Sequence, residues 1–109
     1  MASVSAKEVA YDPETMWRGP TWVNVNYLLI EALQSAAQGN LARALCDRTL
    51  DLVAGQLDMV EYYNPETGGA AASAARGFSW SASLFLDLLL RRFGGDLADA
   101  PRAGDRVPI

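Results

Sequence analysis

Histidine is absent from this 109-residue sequence, cysteine occurs once, at Cys46, and lysine once, at Lys7. The first absence removes Ser-His-Asp and Cys-His catalysis, histidine zinc sites and the most common general base. The single cysteine permits no intrachain disulfide and no thiolate metal cluster. It lies in an apolar helical pattern, which predicts burial as a small hydrophobe rather than a nucleophilic role. Acid–base chemistry is left to Asp, Glu, Tyr and Lys, so carboxylates are the remaining candidates. Basic clustering is also scarce. Beyond Arg91 and Arg92 no cations gather, and the net charge is -4, which gives no electrostatic case for nucleic acid. The longest apolar runs are broken by Glu31 and Asp87 and fall short of a membrane span. The first residues, MASVSAKEVAYDPE, lack a basic region followed by an apolar core, so no signal peptide is read there. A cytoplasmic chain with neither nucleic-acid nor membrane partners is expected.

Half of the residues are hydrophobic and a fifth are charged, which suits one globular domain. Asp12-Pro13 and Gly19-Pro20 keep residues 1–20 extended or loop-like. From Thr21, a possible cap, Val25, Leu28, Leu29, Ala32, Leu33 and Ala36 recur at helical spacing until Gly39. Asn40 is a second possible cap, followed by Leu41, Leu45, Thr49, Leu52, Val53 and Leu57 on one face. Glu61–Gly69 breaks that helix, and Asn64-Pro65-Glu66-Thr67 suits a type I turn. The segment AAASAAR over 70–76 is low in complexity. Ser79 or Ser81 opens a third helix, which ends at Gly94-Gly95 after Arg91 and Arg92. The expected fold is all-α, with about three helices and no strands. Leu84, Phe85, Leu86, Leu88, Leu89 and Leu90 make the third helix apolar almost all round, as in a helix buried on several sides. Three helices cannot surround one of their own, so either the chain self-associates or it is a piece of something larger.

Trp17, Trp22, Tyr27, Tyr62, Tyr63, Phe78 and Trp80 gather where helices begin or end. Singly, each reads as a core aromatic. Together they read as a wall for a sugar, whose C–H face matches a flat ring, with Arg18, Asn24 and Asn26 supplying hydrogen bonds to hydroxyls. Among the loop carboxylates Asp12, Glu14, Asp58, Glu61 and Glu66, the one flanked by aromatic surface is Glu61. That placement suits a general base.

The three motifs WRGPTWVNVNYLLI, EYYNPETG and GFSWSASLFLDLL resemble, in order and spacing, the C-terminal stretch of glycoside hydrolase family 63 and its relatives. These include mannosylglycerate and glucosylglycerate hydrolases and processing α-glucosidases. The resemblance covers roughly residues 11–93. It implies helical hairpins forming part of an (α/α)6 barrel and inverting hydrolysis of an α-glycosidic bond. It also implies that Glu61 is the general base and that Trp17 and Trp22 line the sugar pocket. Arg18, Asn24, Tyr63 and Trp80 are the further substrate-binding candidates. No cofactor and no metal are expected. The family's general acid belongs to a segment upstream of WRGP, so the chain alone is expected to be inactive, with the remainder of the barrel or a second copy as partner. Residues 1–93 are taken as the glycosidase-like segment and 94–109 as a flexible tail. The alternative reading is a self-associating helical interaction or carbohydrate-binding module without catalysis.

Overall fold

The computed structural model describes residues 1–99. The first helix, α1, spans Val23–Ser35. It begins one residue later than a cap at Thr21 would place it, because Thr21 does not cap it. Thr21 instead exchanges both main-chain hydrogen bonds with Tyr63, at 2.8 and 2.9 Å. Trp22 stands at the N-cap without a side-chain cap. The face turned inward carries Val23, Asn26 and Ile30. Asn26, a buried polar residue, is satisfied by donating to Thr49 Oγ1 at 3.0 Å, as a polar group out of water must be.

The second helix, α2, spans Gly39–Ala54 and includes Asn40, which therefore does not cap it. Its buried positions are Ala42, Cys46, Thr49, Leu50 and Val53. This stripe keeps the predicted 3.6-residue period but is rotated, so Leu41 lies outside it and is exposed. Leu57 falls beyond the helix and is exposed. Cys46 is buried, as the pattern predicts, and burial raises its pKa. The third helix, α3, spans Ser79–Gly94 with Arg91 and Arg92 in its last turn. Ser81 is one of its buried residues, and its hydroxyl donates to the Val60 carbonyl at 2.6 Å.

Ile30, Ala42, Cys46, Leu50, Leu88 and Leu97 form the larger core cluster. Val23, Val53, Val60 and Tyr63 form a second at the other end of the helices. The pairings of Ile30 with Ala42 and of Val23 with Val53 set α2 antiparallel to α1. Arg92 reaches Asp47 and Tyr27 reaches Asp87, so α3 runs beside α1 in the same direction. The starts of α1 and α3 thus share one end of the molecule. At the opposite end, Arg91 ties α1 to α3 by donating to Glu31, to Gln34 at 2.6 Å and to Asp96 at 2.8 Å. Asp96 raises the pKa of Arg91 and is itself held below the usual carboxylate range by it. Within the stretch expected to be a tail, Leu97 is buried in the core; residues 100–109 lie outside the described residues.

The all-round apolar α3 buries only Ser81 and Leu88 fully. Leu86, Leu90 and Phe93 are exposed, as is Leu28 of α1. None of the described helices is long and apolar enough to cross a membrane.

Loops at the shared end are joined by main-chain pairing. Three isolated antiparallel bridges link Thr21 with Tyr63, Tyr63 with Ala70, and Val60 with Arg76. Between the last two bridges, Glu61 and Tyr62 face the five residues 71–75, so the alanine-rich side bows outward. Asn64 shapes the turn below by accepting from the Glu66 and Thr67 amides at 2.8 and 3.3 Å. Gly68, at φ 72°, closes it in the left-handed region that favours glycine.

Candidate functional site

The end shared by the starts of α1 and α3 collects the three motifs. Trp17 lies flat on Trp22, with ring centroids 3.9 Å apart and planes 6° from parallel. Trp22 in turn faces Tyr62 at 5.1 Å. Behind them Ala71, Ala74, Val25 and Phe78 complete the cluster, and Phe78 leans against Trp80 at 5.3 Å. The result is an aromatic ridge from Trp17 to Trp80. Its inner members are fixed by polar contacts as well as packing. Trp22 Nε1 donates to the Met16 carbonyl at 2.8 Å, and the Tyr62 and Ser73 hydroxyls share a hydrogen bond of 2.6 Å. Gly19 is required where the loop turns back, since a Cβ there would sit 2.6 Å from the Asp12 carbonyl oxygen.

The members of the ridge differ in what they offer a ligand. Trp17 and Trp80 are about half exposed, at 49 % and 54 %. Trp22, beneath Trp17, is only 2 % exposed. Tyr63 is fully buried among Val23, Val53 and Val60 and presents no surface. Burial raises the pKa of its phenol. Asn24 lines a shallow hollow of about 310 Å³ with Trp80, Ser83 and Leu84. The Arg18 side chain points back along its own loop and donates to the Ala10 carbonyl at 2.9 Å. Asn26 is likewise committed to the core.

The loop carboxylates separate by their partners. Asp12 accepts from the Glu14 amide at 2.9 Å and from Thr15 Oγ1 at 2.8 Å, and these bonds hold its pKa below the usual range. Asp58 accepts from the Met59 and Gly77 amides at 2.8 and 3.2 Å, closing the loop before α3. Glu66 accepts from Tyr11 at 3.0 Å, and both line a hollow against Leu45, Arg48 and Leu52 of α2. Glu61 follows Val60 and precedes Tyr62 of the ridge. It is half-buried, and its Oε2 accepts from the Ala75 amide at 3.3 Å.

Glu14 was one loop carboxylate among five in the sequence, yet it binds three segments together. It accepts from Asn64 Nδ2 and from the Ala72 amide, each at 2.8 Å, while its main-chain carbonyl accepts from Ser73 Oγ at 3.3 Å. Nothing in the local sequence signals this, because the partners lie 50–59 residues away. Among the described residues no group of three or more His, Cys, Asp or Glu side chains could hold a metal ion.

Residues 1–81 match the mannosylglycerate hydrolase MGH1-like glycoside hydrolase domain. A mannosylglycerate hydrolase from Thermus thermophilus is 36% identical over 86 residues, covering 79% of this chain and 20% of that protein. The mannosylglycerate hydrolase MGH1 of Selaginella moellendorffii is 32% identical over 89 residues, covering 82% of this chain and 18% of that protein. The chain therefore spans about a fifth of the length of the curated relatives it matches. Among solved structures, the GH63 mannosylglycerate hydrolase of Thermus thermophilus in complex with glucose superposes with a TM-score of 0.72. It is 34% identical and covers 84% of this chain and 21% of that one. The same enzyme with Tris and D-glycerate gives a TM-score of 0.67 at 34% identity, covering 79% of this chain and 20% of that one. The three helices, two parallel with an antiparallel one between, agree with helical hairpins of an (α/α)6 barrel.

Proposed function

The chain belongs to the mannosylglycerate hydrolase MGH1-like glycoside hydrolase family, and from that premise we propose that it forms the part of an inverting α-glycoside hydrolase that supplies the general base and the sugar-stacking wall. Glu61 is the base. An inverting glycosidase needs two carboxyl groups about 6.5–9.5 Å apart, one protonating the leaving oxygen and one activating water. In this reading the acid comes from the remainder of the barrel, and Glu61 removes the proton from water as it attacks the anomeric carbon.

The observation that carries this reading is the position of Glu61 in the loop assembly. It is the carboxylate joined directly to Tyr62, whose ring backs Trp22 and through it Trp17. Trp17 offers the open ring face, and Trp22 acts from beneath by keeping that ring flat. Trp80 and Asn24 frame a second contact zone beside the ridge. Arg18 and Tyr63 serve by shaping the loop and the core under it. Small polyhydroxylated ligands are the substrate class, in keeping with the glucose and D-glycerate bound by the Thermus enzyme.

The exposed apolar side of α3, with Leu86, Leu90 and Phe93, is the surface that the rest of the barrel covers. The test is a split enzyme. The Thermus relative lacking its matching segment is mixed with this chain and assayed on mannosylglycerate. Turnover is expected to return, and Glu61→Gln to lower it by about 10²–10⁴-fold, the usual worth of a general base. If the relative's own excised segment restores turnover and this chain does not, the reading fails.

A further inference from the structure

The segment Ala70–Arg76 has almost no side chains with which to fix itself. Between its two bridges it carries five residues against two on the opposite side, and a turn closed by the Ala74 amide on the Ala71 carbonyl at 3.0 Å takes up the surplus. That turn is held in place from outside. Glu14 Oε2 accepts from the Ala72 amide at 2.8 Å, and the Glu14 carbonyl accepts from Ser73 Oγ at 3.3 Å. The Ser73 hydroxyl also meets the Tyr62 hydroxyl at 2.6 Å. Two residues further on, Ala75 closes on Glu61 from both sides of its peptide. Its amide donates to Glu61 Oε2 at 3.3 Å, and its carbonyl accepts from the Glu61 amide at 2.8 Å. The other Glu14 oxygen accepts from Asn64 Nδ2. Asn64 cannot turn its amide round, because its Oδ1 is already occupied by the Glu66 and Thr67 amides.

We propose that Glu14 is a positioning residue for Glu61, acting through the loop of residues 72–75 rather than by contact with any substrate. This rests on the reading of Glu61 as the general base. Both carboxylate oxygens are needed: one is anchored on the rigid Asn64 turn, and the other holds the Ala72 amide. Bonds from amides to a charged acceptor are the stronger class of hydrogen bond. A neutral carboxamide at position 14 has one accepting oxygen and turns an N–H toward one of the two donors.

The test uses the ¹⁵N-labelled chain and no sugar, so its failure and that of the split-enzyme assay are separable. In an otherwise unaltered chain, Glu61→Gln shifts the Ala75 amide resonance, because a charged acceptor becomes neutral. With Glu14→Gln in place, that shift is lost and exchange of the Ala72 amide quickens by roughly tenfold. Glu14→Asp, which keeps the charge but shortens the reach to Asn64 Nδ2 and the Ala72 amide, reduces the Ala75 shift in the same direction and decides the matter if Glu14→Gln does not fold. A Glu14 that merely stabilises the fold leaves the Ala75 response to Glu61→Gln intact. An undiminished response in the folded variants overturns the proposal.

Discussion

Ser81→Ala isolates one bond that sets the height of α3 against the Glu61 segment. Ser81 is 1% exposed, and its hydroxyl donates to the Val60 carbonyl at 2.6 Å. Val60 is equally buried, and among the described residues no other main-chain or side-chain donor reaches that oxygen within bonding distance. Removing the hydroxyl leaves a carbonyl that has lost water without gaining a partner, a cost of about 1–3 kcal/mol. Alanine is the better helix former and returns up to about 0.5 kcal/mol. The net loss is therefore about 0.5–2.5 kcal/mol. With a urea slope of about 1–3 kcal/mol per molar for a small domain, the midpoint should fall by about 0.2–2.5 M. Ser83→Ala, on the exposed side of the same helix, controls for propensity and should lose nothing. A Ser81→Ala midpoint no lower than that of Ser83→Ala would refute the assignment of this bond as a structural tie.

Four further outcomes are expected. Gly19→Ala drives a Cβ to within 2.6 Å of the Asp12 carbonyl oxygen and should cost about 1–3 kcal/mol by overpacking, measured by thermal melting. Trp17→Ala should abolish the exciton-coupled circular dichroism of the Trp17–Trp22 stack while removing about 0.5–1.5 kcal/mol of ring–ring attraction; an unchanged spectrum contradicts the stacking. Asp96 has its pKa lowered chiefly by the hydrogen bond from Arg91. Its contribution is thus present above its ordinary value of 3.8 and lost as pH falls through the depressed one. The stability gap between the chain and Asp96→Asn should be constant at neutral pH and close only on the acid side of that value. Leu90→Glu, on the exposed side of α3, should change the stability of the chain alone by no more than about 0.5 kcal/mol. In the split enzyme the same change should block restored turnover.

The helices were legible because their apolar period is long and uninterrupted in Val23–Ser35, Gly39–Ala54 and Ser79–Gly94. The start of α3 at Ser79 was legible too, but those of α1 and α2 were not, because neither expected cap stands at the N-cap. Thr21 pairs its main chain with Tyr63, 42 residues on, and Asn40 lies inside α2. The bridged loops had a local signal that a helical reading passes over. Val60-Glu61-Tyr62-Tyr63, with its β-branched and aromatic residues, precedes a Pro-Gly turn as a hairpin strand would. The aromatic gathering at one end was visible in the sequence, but burial sorts its members. Trp22 and Tyr63 differ from Trp17 by what lies over them, which no neighbour in sequence reports.

The bowed loop between Ala70 and Arg76 is gripped through its peptide groups: the amide of Ala72 by Glu14, and the amide and carbonyl of Ala75 by Glu61. A grip on peptide groups is blind to the side chain attached to them. Composition is therefore free to drift at the exposed Ala72 and Ala75, whereas Ala71 and Ala74 pack against the aromatic cluster and Ser73 bonds Tyr62 through its hydroxyl. The one residue it cannot accept at positions 72 and 75 is proline, which brings no amide hydrogen to offer.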